Sequence, residues 1–180
     1  MKAKAIVFEA PKSITVRTLE LAPMGARDVE VAVSFSGIST GTERLLWDGT
    51  MPPFPGLSYP LVPGYETVGT VASLGAEVTG LALGDLVFLP GSYAFQGVQN
   101  IFGGSGSRLV VPHERAVKLD PSLGNKGVLL ALAATAHHVF TVGREGLPLA
   151  YPDLIIGHGI MGRLLARMVV AAGKPAPVVW

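Results

Sequence analysis

The 180-residue sequence contains no cysteine. Disulfides, thiolate nucleophiles and Cys-ligated metals are therefore excluded together. Charge is sparse: 15% of residues are charged and the net charge is +1. No run of Lys or Arg builds the basic stripe that a nucleic-acid surface needs. Long apolar runs are lacking as well. The best candidates, near 128–142 and 160–172, are interrupted by His137, His138, Arg163 and Arg167, and both fall short of the roughly 18–20 residues of a membrane span. Met1-Lys2-Ala3-Lys4 leads straight into a strand pattern, without a signal-peptide core or cleavage site. A cytoplasmic location is the expectation.

What is present is apolar material, 49% of the chain, punctuated by glycine and proline. The first 120 residues read as all-β. Strands are expected at Lys4–Phe8, Ile14–Leu19, Val29–Val33, Thr67–Leu74, Leu86–Leu89 and Ser107–Val111, with Gly84-Asp85 as a turn. Many short strands with Gly/Pro punctuation predict a barrel or sandwich. A short helix is expected at Thr42–Trp47, capped by Thr40 or Thr42. Two irregular segments, 51–63 and 90–106, carry Phe54, Tyr59, Tyr93, Phe95 and Phe102, and loops with such content often hold binding sites.

The pattern then changes to Gly127–Val142 as helix, Asp153–Ile156 as strand, a glycine turn, Arg163–Ala172 as helix closed by Gly173, and a strand from Pro177 to Trp180. That is one βαβ unit and places the chain in the α/β class. A lone unit cannot complete a doubly wound sheet, so the chain is expected to be a fragment. Within the unit, Gly157-His158-Gly159-Ile160-Met161-Gly162 matches G-x-G-x-x-G between a strand and a helix, the context that makes the hexamer informative. The glycines permit the turn, the approach of a pyrophosphate and close helix–strand packing, and phosphate then rests on the helix N-terminus. Arg163 either contacts a phosphate or sits on the exposed side of the helix. The acidic residue that selects NAD over NADP would lie at or just past Trp180.

Gly64-Tyr65-Glu66-Thr67-Val68-Gly69, with Gly75 and Val78, reads G-Y-E-x2-G-x5-G-x2-V. With His for Tyr65 this is the signature of the medium-chain dehydrogenase/reductases, which the chain resembles throughout. Gly84-Asp85-Leu86-Val87, Gly103–Leu119 and Ala134-Thr135-Ala136-His137-His138 are similar to further segments of that superfamily. The resemblance implies a GroES-like β-barrel catalytic domain at 1–125, and at 126–180 a linking helix and the start of a Rossmann-type domain. A narrower likeness runs from Gly37 through Gly56, continues from Tyr59 to Glu66, and includes Phe102-Gly103-Gly104. These stretches resemble the bacteriochlorophyllide a dehydrogenases. The likeness implies NAD-dependent oxidation of a 1-hydroxyethyl group on a chlorin to acetyl, with a small-molecule tetrapyrrole as substrate. It leaves the oligomeric state open, a homo-oligomer included.

Zinc relatives carry G-x-C-x-[ST]-D where this chain has Gly37–Glu43, and His where it has Tyr65. Ser39 or Thr40 falls at the Cys position, and Thr42 and Glu43 match the Thr/Ser-Asp pair. Hydroxyls and a phenol are poor zinc donors, so no metal is expected; a weak site of Glu43, Glu66 and a distant His is the alternative. Thr42 is the first candidate to contact the substrate alcohol and Tyr65 the second, with Glu66 and Glu43 orienting them or relaying the proton and Ser39 also in the catalytic set. Thr42 could instead cap its helix, and Tyr65 could merely fill space. Trp47, Phe54, Tyr59, Tyr93, Phe95 and Phe102 are the candidates to stack on a flat macrocycle; about half are expected to pack the loops instead. His137 and His138 are expected in a core or interface, and His113 facing solvent. Two other functions stay open: a zinc-free, quinone-reductase-like enzyme, and a ligand-binding module without catalysis.

Overall fold

The structure, a computed structural model, describes residues 1–142 and 146–180. Residues 143–145, within the expected second domain, lie outside the described residues. The described chain groups into two compact units, Met1–Val128 and Leu129–Trp180.

In the first unit, β1 (Lys2–Ala10) and β2 (Ser13–Glu20) form an antiparallel hairpin. β3 (Asp28–Ser36), β4 (Thr67–Leu74), β5 (Leu86–Leu89), β6 (Arg108–Pro112) and β7 (Val117–Lys118) form an antiparallel sheet in the order β6-β3-β4-β5-β7. Valine recurs along these strands, and β4 is half β-branched, as a pleated, half-buried surface favours. Val7, Val29, Val31, Val71, Val87 and Leu109 fill the core between hairpin and sheet. A smaller cluster of Phe8, Leu46 and Leu61 anchors the helix α1 (Thr42–Asp48), which ends on Gly49 at φ +72°. Only glycine enters that left-handed conformation without steric cost.

Buried charge in the sheet is paired. Glu30, on β3, is 4% exposed and forms an ion pair with Arg108 on the neighbouring β6.

The second unit contains α2 (Leu130–Thr141), β8 (Leu154–Ile155), α3 (Ile160–Ala171) and β9 (Val178–Val179). β8 and β9 are parallel neighbours, which completes the expected βαβ connectivity. No helix among the described residues is long and apolar enough to cross a membrane.

Several boundaries differ from expectation. Residues Pro121–Leu129 form 3-10 turns interrupted at Gly124, so the α-helix expected from Gly127 begins at Leu130. Gly127 is packed so tightly on Leu119 and Val68 that a Cβ would push into them. α3 begins at Ile160 rather than Arg163, because the last glycine of the motif is already inside its first turn. His113 does not face open solvent. Its ring is half-buried, with Nδ1 3.0 Å from the Arg27 carbonyl oxygen. His137 and His138 are exposed rather than in a core; the His137 ring meets Phe140 edge-on, at 6.0 Å.

Candidate active site

The N-terminus of α1 gathers four of the five expected catalytic side chains with the fifth beside them. Neither Thr40 nor Thr42 caps the helix. Ser39 takes that part: its Oγ accepts hydrogen bonds from the backbone N–H groups of Gly41 and Thr42, at 3.3 and 3.1 Å. The Glu43 carboxylate reaches back to the Ser39 N–H at 3.0 Å. This reciprocal arrangement follows the logic of a capping box, and it leaves the Thr42 hydroxyl free of capping duty. Thr42 Oγ1 instead lies 3.3 Å from the Tyr65 hydroxyl, where either group can donate.

Tyr65 and Glu66 sit in the segment that enters β4. The Tyr65 ring is flanked by Phe102 at 5.8 Å, tilted by 44°. Glu66 is buried, and its Oε1 has no hydrogen-bond partner among the described residues. Gly37 makes room for it, since a Cβ there would collide with the Glu66 carboxyl. Burial pushes the Glu66 carboxyl above the usual carboxylate range. Glu43 is also raised, first by burial and further by the neighbouring charge of Glu66, against backbone hydrogen bonds that pull it down. Two buried carboxyls, each next in sequence to a member of the hydroxyl pair and coupled to one another, thus have their protonated forms favoured.

This donor set does not suit zinc. The positions that carry Cys and His in zinc relatives hold hydroxyl and phenol groups, and Glu43 is engaged by the Ser39 N–H. Among the described residues no three His, Cys, Asp or Glu side chains gather into a possible metal site.

The six aromatic candidates divide. Trp47, Tyr59 and Phe102 pack on the Phe8–Leu46–Leu61 cluster, and the Tyr59 hydroxyl donates to the Leu46 carbonyl. Phe54 is half-buried in its loop. Tyr93 is exposed on another part of the surface, with the Arg115 guanidinium 4.8 Å above its ring. Phe95 cannot stack on a ligand here, because it is 3% exposed and belongs to the main core. Its run of hydrophobic neighbours reads alike in a loop or a core.

An apolar concavity of about 510 Å³ opens beside α1, lined by Phe8, Ile14, Ile38, Ser39, Thr40, Glu43, Arg44 and Trp47. Of its apolar wall, Trp47 alone stood out in the sequence. Phe8 and Ile14 read as ordinary strand residues, and nothing in the pattern marks which strand face stays uncovered.

In the second unit the glycine motif forms the turn between β8 and α3. Gly157 adopts φ +111°, and a Cβ on Gly162 would run into the Gly157 carbonyl oxygen. Gly159 precedes the first helical residue and has open space around its Cβ position. The first N–H groups of α3 are thus available to an anion. His158, Ile160 and Arg163 are exposed, Met161 is half-buried, and His158, Arg163, Arg167 and Val179 border a concavity of about 330 Å³.

The family model described as "Alcohol dehydrogenase GroES-like domain" matches residues 25–121, the stretch that contains α1, the hydroxyl pair and all five strands of the sheet. The chain belongs to this alcohol dehydrogenase family. Within it, the chain is 49% identical over 181 aligned residues to the 2-desacetyl-2-hydroxyethyl bacteriochlorophyllide A dehydrogenase of Rhodobacter capsulatus, with 100% of this chain and 56% of that protein covered. The corresponding dehydrogenase of Cereibacter sphaeroides is 47% identical, with 100% and 57% covered. The chain therefore spans little more than half the length of these relatives. Among solved structures, a dehydrogenase from Sinorhizobium meliloti 1021 bound to NADP superposes with a TM-score of 0.74 at 23% identity, over 99% of this chain and 56% of that one. This last likeness carries the fold: a GroES-like domain followed by the opening of a dinucleotide-binding domain.

Proposed function

We propose that this chain is the proton-handling portion and first cofactor-binding unit of an NAD-dependent dehydrogenase. Its reaction would be oxidation of the 1-hydroxyethyl group of a bacteriochlorophyllide-type chlorin to acetyl, without catalytic zinc, in bacteriochlorophyll synthesis. The substrate class is supported by the likeness, over the whole of this chain and little more than half of theirs, to the two bacteriochlorophyllide dehydrogenases. The alcohol chemistry rests on the Thr42–Tyr65 hydroxyl pair at 3.3 Å.

Oxidising a secondary alcohol requires the O–H proton to leave as hydride departs from carbon. NAD, when bound, accepts that hydride. Thr42 would take the alcohol proton only as it passes its own hydroxyl proton to Tyr65, whose phenol proton leaves to solvent, so the pair relays one proton outward and holds the oxygen as negative charge develops. Glu43 fixes Ser39, and Ser39 fixes the start of α1, so the orientation of Thr42 is set by these neighbours. Glu66, buried behind Gly37 and raised towards its protonated form, keeps the interior beside Glu43 low in charge and acts as a positioning group rather than as the proton's destination. Gly157–Gly162 and the N-terminus of α3 would hold the pyrophosphate. We assign residues 1–125 to the catalytic domain and 126–180 to the cofactor side. The lack of cysteine accords with a cytoplasmic location.

A zinc-free reductase of activated double bonds is the second reading, favoured by the same loss of zinc donors. It needs no partner for a developing alkoxide, so the two readings respond differently to loss of the Thr42 hydroxyl.

The test is to incubate the full-length protein with NAD and a hydroxyethyl-bearing bacteriochlorin in the presence of chelator. The absorption should shift as an acetyl group joins the ring conjugation. No shift overturns the substrate assignment, and a shift abolished by chelator overturns the metal-free assignment.

A further inference from the structure

The hairpin of β1 and β2 presents an apolar face that α1 and its cluster cover at Phe8 and Ile6 but leave open along β2. The pairing register sets Phe8 opposite Ile14 and Ile6 opposite Val16, so these four side chains share one face. Ile14 and Val16 are 51% and 67% exposed. Ile38, from the loop before α1, stands beside them at 82% exposure. It borders two concavities: the one of about 510 Å³ against Phe8, Ile14 and Trp47, and one of about 310 Å³ against Ile6, Val16 and Ser36. Grouped exposed apolar side chains of this kind mark a binding surface more often than a chance of sequence. The larger concavity lies in the range of about 300–1,000 Å³ typical of small-molecule sites.

Two further features select the occupant. The apolar wall is made of two isoleucines, a phenyl and an indole, with Trp47 set edge-on to Phe8 at 5.9 Å, which suits a flat, apolar ring system. At its rim stands Arg44, with a side chain 77% exposed and, among the described residues, a 3.6 Å ion pair to Asp48 one turn on. Such exposed pairs are weak, so the guanidinium can be recruited to another carboxylate at little cost. A chlorophyllide is the de-esterified pigment and retains a free propionate carboxylate on an otherwise apolar macrocycle. The same concavity is lined by Ser39 and Glu43, the residues that fix Thr42.

We propose that the surface formed by Ile14, Val16, Ile38 and Trp47 seats the chlorin macrocycle, with Arg44 pairing to its propionate. This rests on the chlorin dehydrogenase reading and adds to it the recognition of the ring and its carboxylate. Ile38 and Arg44 are the residues that set specificity, and their exposure makes both replaceable without disturbing the core.

The experiment uses the full-length protein with NAD and a hydroxyethyl chlorin, supplied as free acid and as methyl ester. Binding is followed by chlorin fluorescence and turnover by absorption. Arg44→Gln should raise Kd and KM for the acid about tenfold and leave the ester unchanged, as loss of a rim charge pair predicts. Ile38→Asp should raise both constants about tenfold for acid and ester alike, through loss of buried apolar area. An equal response of acid and ester to Arg44→Gln overturns the carboxylate pairing. Unchanged constants in Ile38→Asp overturn the seat, and if that variant shifts a dimer to monomer, the face belongs to a second copy. Wild-type protein that neither binds nor oxidises either chlorin sinks the underlying reading, and the seat with it.

Discussion

The hydroxyl of Thr42 and the phenol of Tyr65 form one hydrogen-bonded pair, 3.3 Å apart, on two segments separated by 23 residues. Because each is the other's partner, removing either changes the alignment of the one that remains. Thr42→Val should lower kcat for the alcohol by about 100-fold, in the range for loss of a positioned proton acceptor. Tyr65→Phe should cost about tenfold, and the double variant should cost less than the product of the two, since they act as a unit. A double-mutant cycle on kcat measures this. A Thr42→Val variant with nearly normal turnover would favour the double-bond reductase instead.

Glu66 makes stability depend on pH in a definite direction. Its carboxyl is buried, unpartnered on one oxygen, and raised above its ordinary value by burial. The folded state therefore binds the proton more tightly than the unfolded state. The associated stability is complete below the ordinary carboxylate range and is lost as pH rises through the folded-state value. Tm should consequently decline as pH is raised from about 4.5 towards neutrality, and Glu66→Gln should flatten that decline. Glu43→Gln should act in the same sense, because Glu43 is raised by burial and by the charge of Glu66. Calorimetry across that range measures both slopes; an unaltered slope in both variants would mean that neither carboxyl is held protonated.

Much of this arrangement was readable from spacing. β4 and β5 begin and end where the apolar runs do, because Gly and Pro bound them on both sides. The pairing of Thr42 with Tyr65 was foreshadowed by their shared candidacy, but not by any local signal, since residues so far apart meet through the sheet. Capping was misassigned among neighbouring hydroxyls. Ser39, Thr40 and Thr42 all qualify by residue type, and the backbone path into α1 selects Ser39. The apolar face at Ile14 and Val16 was illegible for a physical reason. Alternation of apolar and polar residues identifies a strand's faces but not whether another layer covers them. The same limit placed Phe95 in a binding loop when its side chain belongs to the core.

Arg108 and Glu30 supply a stability test outside the candidate site. Glu30 is almost fully buried, whereas Arg108 is half-exposed and approaches from the adjacent strand. Arg108→Met should destabilise the protein by about 1–3 kcal/mol by leaving a buried carboxylate without its donor. Arg108→Met combined with Glu30→Met should recover part of that loss, since the unpaired charge is then gone. Urea denaturation compares the three proteins. Equal stability of the single variant and wild type would show that solvent, not Arg108, satisfies Glu30.

The two later glycines of the dinucleotide motif separate packing from ligand approach. A Cβ on Gly162 would collide with the Gly157 carbonyl oxygen, so Gly162→Ala must force the turn and α3 apart. Gly159 is different. Its φ of −78° is open to any residue, and no atom of the described residues lies within 4 Å of its Cβ position. Gly159→Ala should therefore leave Tm within about a degree, as surface substitutions of this kind do. It should still weaken NAD binding by about tenfold or more, because the methyl group occupies space that the pyrophosphate needs. Gly162→Ala should lower both Tm and affinity. Titration of the full-length protein with NAD, alongside thermal unfolding, distinguishes the two effects. If Gly159→Ala bound NAD as tightly as wild type, this turn would be a packing device and the cofactor's phosphates would rest elsewhere.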